Sequence, residues 1–457
     1  MRRFKVLLVG LAFLTATWPA QGWAADEKSL EERLQFLEQE LAIVKRQLEL
    51  KKEDDDKAKK EAPIISASAK DGFSIKSPDE SYKLKIRGLV QVDGRIFTDN
   101  DKSVSGTTSL SGTDTFLVRR ARIILDGTAA RDFDFYLAPD FGSGTNQLVD
   151  GYLEYKYFPK AKLRAGKFKV PLGLERLQSD TVANFIELGP TNNLTPNRDV
   201  GVQLSGDLLK ETVNYAFGLF NGVADAGSSD GDTNNDKDFV ARVFAHPFKN
   251  FDTRSLKGLG VGIAGSYGHK EGSTLPTYRS AGQMSIFNYS STVSADGAHV
   301  RLSPQAYYYY NSLGLLAEYV SSEQKVIRSS GGIIRDSFKN KAWQVSGIYV
   351  LTGEDASYKG VIPKNPFDFK EKTWGAWGIT GRYGQLDIDD STFDNGFSSL
   401  STSVSEADSW GLGLTWFLNR TLRTSLNFER TEFDGGNGAG LDRPTESIVF
   451  TRFQVNY

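Results

Sequence analysis

The sequence predicts an all-β fold: a sixteen-stranded antiparallel transmembrane β-barrel over residues 82–457, preceded by a short N-terminal coiled-coil helix. Three observations predict it. An export signal opens the chain, runs of alternating apolar and polar residues fill it from residue 83 onward, and the last strand ends on an aromatic residue, Tyr457.

Composition narrows the class before any motif is read. At 457 residues and 39% hydrophobic content the chain looks soluble on average, and no internal stretch approaches the roughly 18 apolar residues of a membrane-spanning helix. A barrel strand produces the same average, because each lipid-facing apolar residue alternates with a lumen-facing polar one. An inner-membrane helix bundle is excluded. There is no cysteine, so an exported fold needs another source of stability, and a closed barrel satisfies its backbone hydrogen bonds internally. Charge is nearly balanced, 55 Lys+Arg against 57 Asp+Glu, which gives no footing for nucleic-acid binding.

The export signal occupies residues 1–24. Arg2, Arg3 and Lys5 supply its basic start, Val6–Thr17 its apolar centre, and Gly22-Trp23-Ala24 a small-x-small cleavage site. Its removal leaves 52 basic against 57 acidic residues, a net charge of −5. Together with the barrel it predicts the outer membrane of a Gram-negative cell, with the N-terminal helix on the periplasmic side.

Residues 25–50 predict that helix. Leu30, Leu34, Leu37, Leu41, Val44 and Leu48 fall on one heptad seam, and Ser29 with Glu32 forms a capping box at its start. A single helix of this kind leaves its seam wet. The seam therefore implies either self-association of several chains or packing back on the chain's own barrel. Residues 51–81, beginning with the charge run Lys51–Glu61, read as a charged and polar linker.

From Lys83 the period changes to 2. In the first strand Leu84, Ile86, Gly88, Val90, Val92 and Ile96 share one face, and Lys85, Arg87, Gln91, Asp93 and Arg95 share the other. There are sixteen such runs in all, from 83–97 to 444–457. Short connections such as Asn419-Arg420 contrast with long polar ones, Asp99–Asp114, Val223–Asp236, Lys270–Asp296 and Gly353–Glu371. This is the short-turn and long-loop asymmetry of barrels of this class. The final strand closes onto the first and leaves no open edge.

Chemistry-bearing motifs are sparse. The three histidines, His246, His269 and His299, belong to no metalloprotease or nucleophile-elbow motif, so neither catalytic residues nor a cofactor is predicted. Asp230–Asp236 resembles a calcium loop but lacks its glycine and closing glutamate, and reads as a solvated loop without metal. Arginines are the informative residues. Arg87, Arg95, Arg120, Arg122, Arg164, Arg242 and Arg382 stand on strands, and strand parity turns them inward, since a lipid-facing cation costs about 2–4 kcal/mol. Guanidinium groups in a confined aqueous lumen attract anions and can grip phosphate oxygens bidentately. Lumen acids such as Asp93, Asp126 and Asp387 can instead neutralise them. The segment after the fifth strand is less polar than the other long loops, with Leu177, Val182, Phe185, Ile186 and Leu188. Folded inward it would narrow the lumen and bring Lys167, Lys169, Arg176 and Arg198 to the narrow zone.

Four ordered motifs carry a family resemblance: Phe116–Gly127 (FLVRRARIILDG), Gly166–Glu175 (GKFKVPLGLE), Pro196–Gly201 (PNRDVG) and Ala376–Tyr383 (AWGITGRY). The chain resembles the phosphate-selective porin O and P family. The resemblance implies a trimeric outer-membrane channel, a third external loop folded inward over Pro171–Arg198, and an arginine ladder to which Arg119, Arg120 and Arg122 would belong. The reading is then passive diffusion of small anions, phosphate first. Two rivals stand beside it: a general small-solute porin with weak or cation-leaning selectivity, and a structural protein tethering the envelope to the cell wall through the heptad helix.

Overall fold

The computed structural model describes residues 27–457 except 69–71, 99–103, 106–107, 111, 145, 233, 273–274 and 439–440. The export signal at 1–24 lies outside the described residues. The chain divides into two compact units, Met1–Ala62 and Pro63–Tyr457.

The first unit contains one α-helix, Glu27–Glu61. It outruns the expected limit at residue 50, because Lys, Glu and Ala in the charge run favour helix even without an apolar stripe. Pro63 restrains the residue before it from helical backbone and ends the element. The predicted seam is uncovered: Leu34, Leu37, Leu41, Val44 and Leu48 are 52–63% exposed.

The remainder of 51–81 also departs from the expected linker. Ile64–Ser68 and Gly72–Lys76 form an antiparallel hairpin with Ser66 Oγ and Ser74 Oγ 2.8 Å apart. Two five-residue strands carry too few alternations to be distinguished from a polar tether by sequence.

The barrel has sixteen strands: β1 Lys83–Phe97, β2 Thr115–Ala129, β3 Phe133–Asp140, β4 Gln147–Tyr155, β5 Lys162–Lys169, β6 Arg198–Leu208, β7 Val213–Phe220, β8 Asp238–Ala245, β9 Leu259–Gly272, β10 Val293–Tyr310, β11 Leu313–Arg328, β12 Ile334–Val350, β13 Ala376–Asp387, β14 Val404–Phe417, β15 Leu422–Asn437 and β16 Glu446–Asn456. Each pairs antiparallel with the next, and β16 closes on β1 from Ile448 opposite Phe97 to Asn456 opposite Leu89. Below that seam the hairpin's second strand continues along the same edge of β1, from Phe73 opposite Ile86 to Lys76 opposite Lys83. Gly88 and Tyr457 exchange backbone hydrogen bonds of 2.9 and 3.1 Å. No helix among the described residues is long and apolar enough to cross a membrane, and the crossing is by strands.

Alternation follows the predicted parity. Val90, Val92 and Ile96 of β1 are exposed on the outer wall, while Gln91 and Asp93 are fully buried inside. On β13 Ile379 and Tyr383 face out, and Thr380 and Arg382 are buried. Connections alternate between the two ends of the barrel. Those after odd strands include the long segments 98–114, 170–197, 221–237, 273–292 and 388–403, and those after even strands include 130–132, 209–212, 311–312 and 418–421. One grouping is corrected. Gly353–Glu371 lies in the connection after β12, on the short-turn end, because strand count and not loop length decides the side. That connection reaches into the lumen, where Tyr358 Oη donates to the carbonyl of Leu174 at 2.6 Å and its ring stacks on Tyr307.

Candidate functional site

Segment 170–197, between β5 and β6, crosses the lumen. Its apolar residues explain why: Leu172, Leu174, Phe185, Ile186 and Leu194 are all buried. Its backbone is held by side chains from around the wall. Leu174 N donates to Glu318 of β11 at 2.6 Å, Ile186 N donates to Asn427 of β15 at 2.9 Å, and Arg382 of β13 donates to the Glu187 carbonyl at 2.9 Å. Gln91 of β1 and Gln454 of β16 donate to the carbonyls of Asp180 and Thr181, at 2.9 and 3.0 Å.

Opposite this segment, β2 presents a cluster of cations. The pairing of β1 with β2 steps from Gln91 opposite Arg120 to Val92 opposite Val118, which leaves Arg119 as an extra residue. This is a β-bulge, and it re-aims the side chain that simple alternation would send outward. Adjacent Arg119 and Arg120 thereby both reach the lumen, with Arg122 beyond them. Lys169 at the end of β5 and Arg198 at the start of β6 flank the loop they bracket.

A cavity of about 500 Å³ lies between the segment and the wall. Arg119, Arg120, Arg122, Lys167, Lys169, Arg176, Arg198 and Arg279 line it, against the acids Asp140, Asp180, Glu187 and Asp225. Eight cations against four carboxylates leave an excess of four positive charges, in a chain whose formal net charge is −2.

Carboxylates of the inward segment bind these cations closely. Arg122 Nη1 lies 2.5 Å from Asp180, with Arg120, Lys169 and Arg198 at 3.4, 3.6 and 3.7 Å. Arg95 and Arg119 share Glu187 at 2.7 and 3.0 Å. Burial alone would raise both acids. Arg120, Lys169, Arg122 and Arg198 instead hold Asp180 well below the usual carboxylate range, and Arg119 and Arg95 bring Glu187 down to about 2. Both acids lie in the segment and outside the spanning strands.

The predicted site residues divide accordingly. Arg119, Arg120, Arg122, Lys167, Lys169, Arg176 and Arg198 come together around the cavity. Arg87, Arg95, Arg164, Arg242 and Arg382 do not line it. Arg87 is bound to Asp126, Arg164 lies 2.7 Å from Glu154 and over the Tyr152 ring, and Arg242 donates to Gln305 at 2.9 Å over Phe244. Arg382 is buried against Glu429 and Glu175, and Arg95 is held by Glu187. Asp93 neutralises none of the predicted arginines and instead pairs with buried Arg452 at 2.6 and 2.7 Å. Sequence reading missed Asp180, Glu187, Asp140 and Arg279. The signal that could have found the first two is charge inside an otherwise apolar loop, which burial obliges to find partners.

His299 Nε2 faces both Ser322 Oγ at 2.8 Å and Asp225 at 3.4 Å, and its buried Nδ1 has no hydrogen-bond partner, so no acid orients the ring from that side. In the loop that resembled a calcium site, Asp230 is 2.5 Å from Lys167 and Asp232 is 2.6 Å from Lys237.

A profile of the family described as phosphate-selective porin O and P matches residues 90–457. Porin O of Pseudomonas aeruginosa is 25% identical over 428 residues, covering 85% of this chain and 92% of that protein. The outer membrane channel DcaP of Acinetobacter baumannii is similar in structure, with a TM-score of 0.54 at 12% identity over 84% of this chain and 99% of that one. OmpT of Vibrio cholerae in its trimer form gives a TM-score of 0.51 at 11% identity, over 82% of this chain and all of that one. The structural likenesses show the fold, and the profile extends across nearly the whole barrel, from within β1 to the end of β16. The chain is an outer-membrane porin and belongs to the phosphate-selective porin O and P family.

Proposed function

We propose that the chain is a passive channel for small anions, with phosphate-class oxyanions preferred. The observation that carries the reading is the excess of four positive charges around the cavity beside the inward segment. An anion enters by attraction to Arg119, Lys167 and Arg279, exchanges hydration for guanidinium contacts at Arg120, Arg122 and Arg198, and leaves without a covalent step or cofactor. In this reading the helix Glu27–Glu61 belongs to the periplasm, and its exposed Leu37 and Leu41 seam favours association with the same helix of other copies. Three copies is the number favoured, since OmpT of Vibrio cholerae is described in a trimer form.

One observation favours a second reading, a general porin of weak selectivity. Arg95, Arg119, Arg120, Arg122, Arg198 and Arg382 each have a carboxylate within 4 Å. The reversal potential of the reconstituted channel across a potassium chloride gradient separates the two. A potential of anion-selective sign is expected, and a cation-selective sign would overturn the proposal.

A further inference from the structure

The Asp180 carboxylate is held by cations of the barrel wall. Four cations from three strands surround it: Arg120 and Arg122 of β2, Lys169 of β5 and Arg198 of β6. Two of these also have an acid of the wall. Arg122 Nε lies 2.6 Å from Asp140, and Arg198 Nε lies 3.1 Å from Asp150. Among the described residues, Arg120 and Lys169 have no carboxylate within 4 Å other than Asp180. Arg120 Nε is buried, lies 3.4 Å from Asp180 and makes no hydrogen bond there. Asp180 and its four cations line the same cavity, so a solute oxyanion meets the donors that Asp180 holds.

We propose that Asp180 is a resident counter-anion, which a permeating oxyanion must displace from Arg120, Arg122, Lys169 and Arg198. The inference rests on the anion-channel reading. Displacement requires rotation of one side chain only, because the neighbouring backbone is held by other groups. Gln91 binds the Asp180 carbonyl at 2.9 Å, Lys169 Nζ the Gln178 carbonyl at 2.5 Å, and Gln454 the Thr181 carbonyl at 3.0 Å. A tethered competitor weakens each binding event without removing the cations that attract the solute. Conduction has the same requirement, since a site must bind strongly enough to admit an ion and weakly enough to release it.

The test uses the full-length channel in planar bilayers, with single-channel chloride current titrated by inorganic phosphate. Asp180→Asn keeps the shape and removes the charge. The half-blocking phosphate concentration is expected to fall at least about fivefold, the factor that one unit charge at ~4 Å carries even at the dielectric constant of water. Asp180→Glu retains the carboxylate and is expected to stay near wild type. An unchanged or raised half-blocking concentration in Asp180→Asn overturns the inference. If that variant does not reconstitute, the double variant Asp180→Asn with Arg122→Gln carries the measurement. Near wild-type block is expected, and a loss as large as that of Arg122→Gln alone overturns the inference. A cation-selective wild-type channel would instead sink the anion reading, so the two failures are distinguishable.

Discussion

Arg119 of β2 and Glu187 of the inward segment meet at 3.0 Å, although 68 residues separate them. Arg95 of β1 joins the same carboxylate at 2.7 Å, so one acid fastens the segment to two strands at once. Glu187→Gln leaves two cations without their charge partner, and the expected cost to the segment's anchoring is about 3 kcal/mol. The measurement is single-channel conductance, which should become larger and noisier as the segment loosens.

The same pair predicts an acid dependence. Glu187 in the folded chain is held down to about 2, below its ordinary value of 4.5. A carboxylate depressed on folding contributes stability that is fully present above its unfolded pKa and lost as pH falls through the folded one. Conductance is therefore expected to be steady from neutral pH down to about 4.5, then to become unstable as pH falls toward about 2. The Glu187→Gln channel should show less change over that window, and noise recorded against pH in both channels provides the check.

The division of the arginines predicts unequal effects on anion block. Arg122 lines the cavity and Arg87 does not. Arg122→Ala is expected to weaken phosphate block about tenfold, the worth of one charge-assisted hydrogen bond. Arg87→Ala, which removes the partner of Asp126 away from the cavity, should leave block near wild type. Equal effects from the two variants would place the anion path elsewhere.

Asp93 and Arg452 join β1 to β16 through a bidentate pair that is almost fully buried. Asp93→Asn leaves the guanidinium without its counter-charge at the closing seam, at an expected cost of about 3–5 kcal/mol. A lower temperature for loss of the folded band in heat-modifiability electrophoresis checks this. Function measured on the surviving folded fraction should change little, because neither residue lines the cavity.

The helix offers a test that the composition makes clean. With no cysteine in the chain, a single Leu37→Cys substitution supplies the sole thiol. If the seam self-associates, mild oxidation of the assembled protein in membranes should give disulfide-linked chains. A thiol that remains freely alkylated would remove the support for a coiled coil.

Much of the barrel was legible because period-2 alternation is local: Val90, Gln91, Val92 and Asp93 announce their faces without reference to any other strand. The bulge at Arg119 was not, since it exists only as a mismatch of register between β1 and β2. Strand parity alone assigns Arg120 and Arg122 inward and says nothing that would bring Arg119 beside them. The inward course of 170–197 was legible from its leucines and phenylalanine. The role of Asp180 and Glu187 within it was not, because a carboxylate's partners are fixed by which wall the loop meets. The charge run after residue 50 misled for the opposite reason: helix propensity persists where an apolar stripe does not.

The hairpin at 64–76 has a consequence for how the cylinder is finished. β16 pairs with β1 only from Leu89 to Phe97, so on that edge the first six residues of β1, 83–88, extend beyond it. Phe73–Lys76 fills that notch from the N-terminal side, with the Phe73 ring edge-on to Tyr457. That edge of β1 is thus covered by β16 and then by the hairpin in turn. A chain shortened to begin at Lys83 would present bare amides and carbonyls at its rim, open to strand addition by any extended segment nearby.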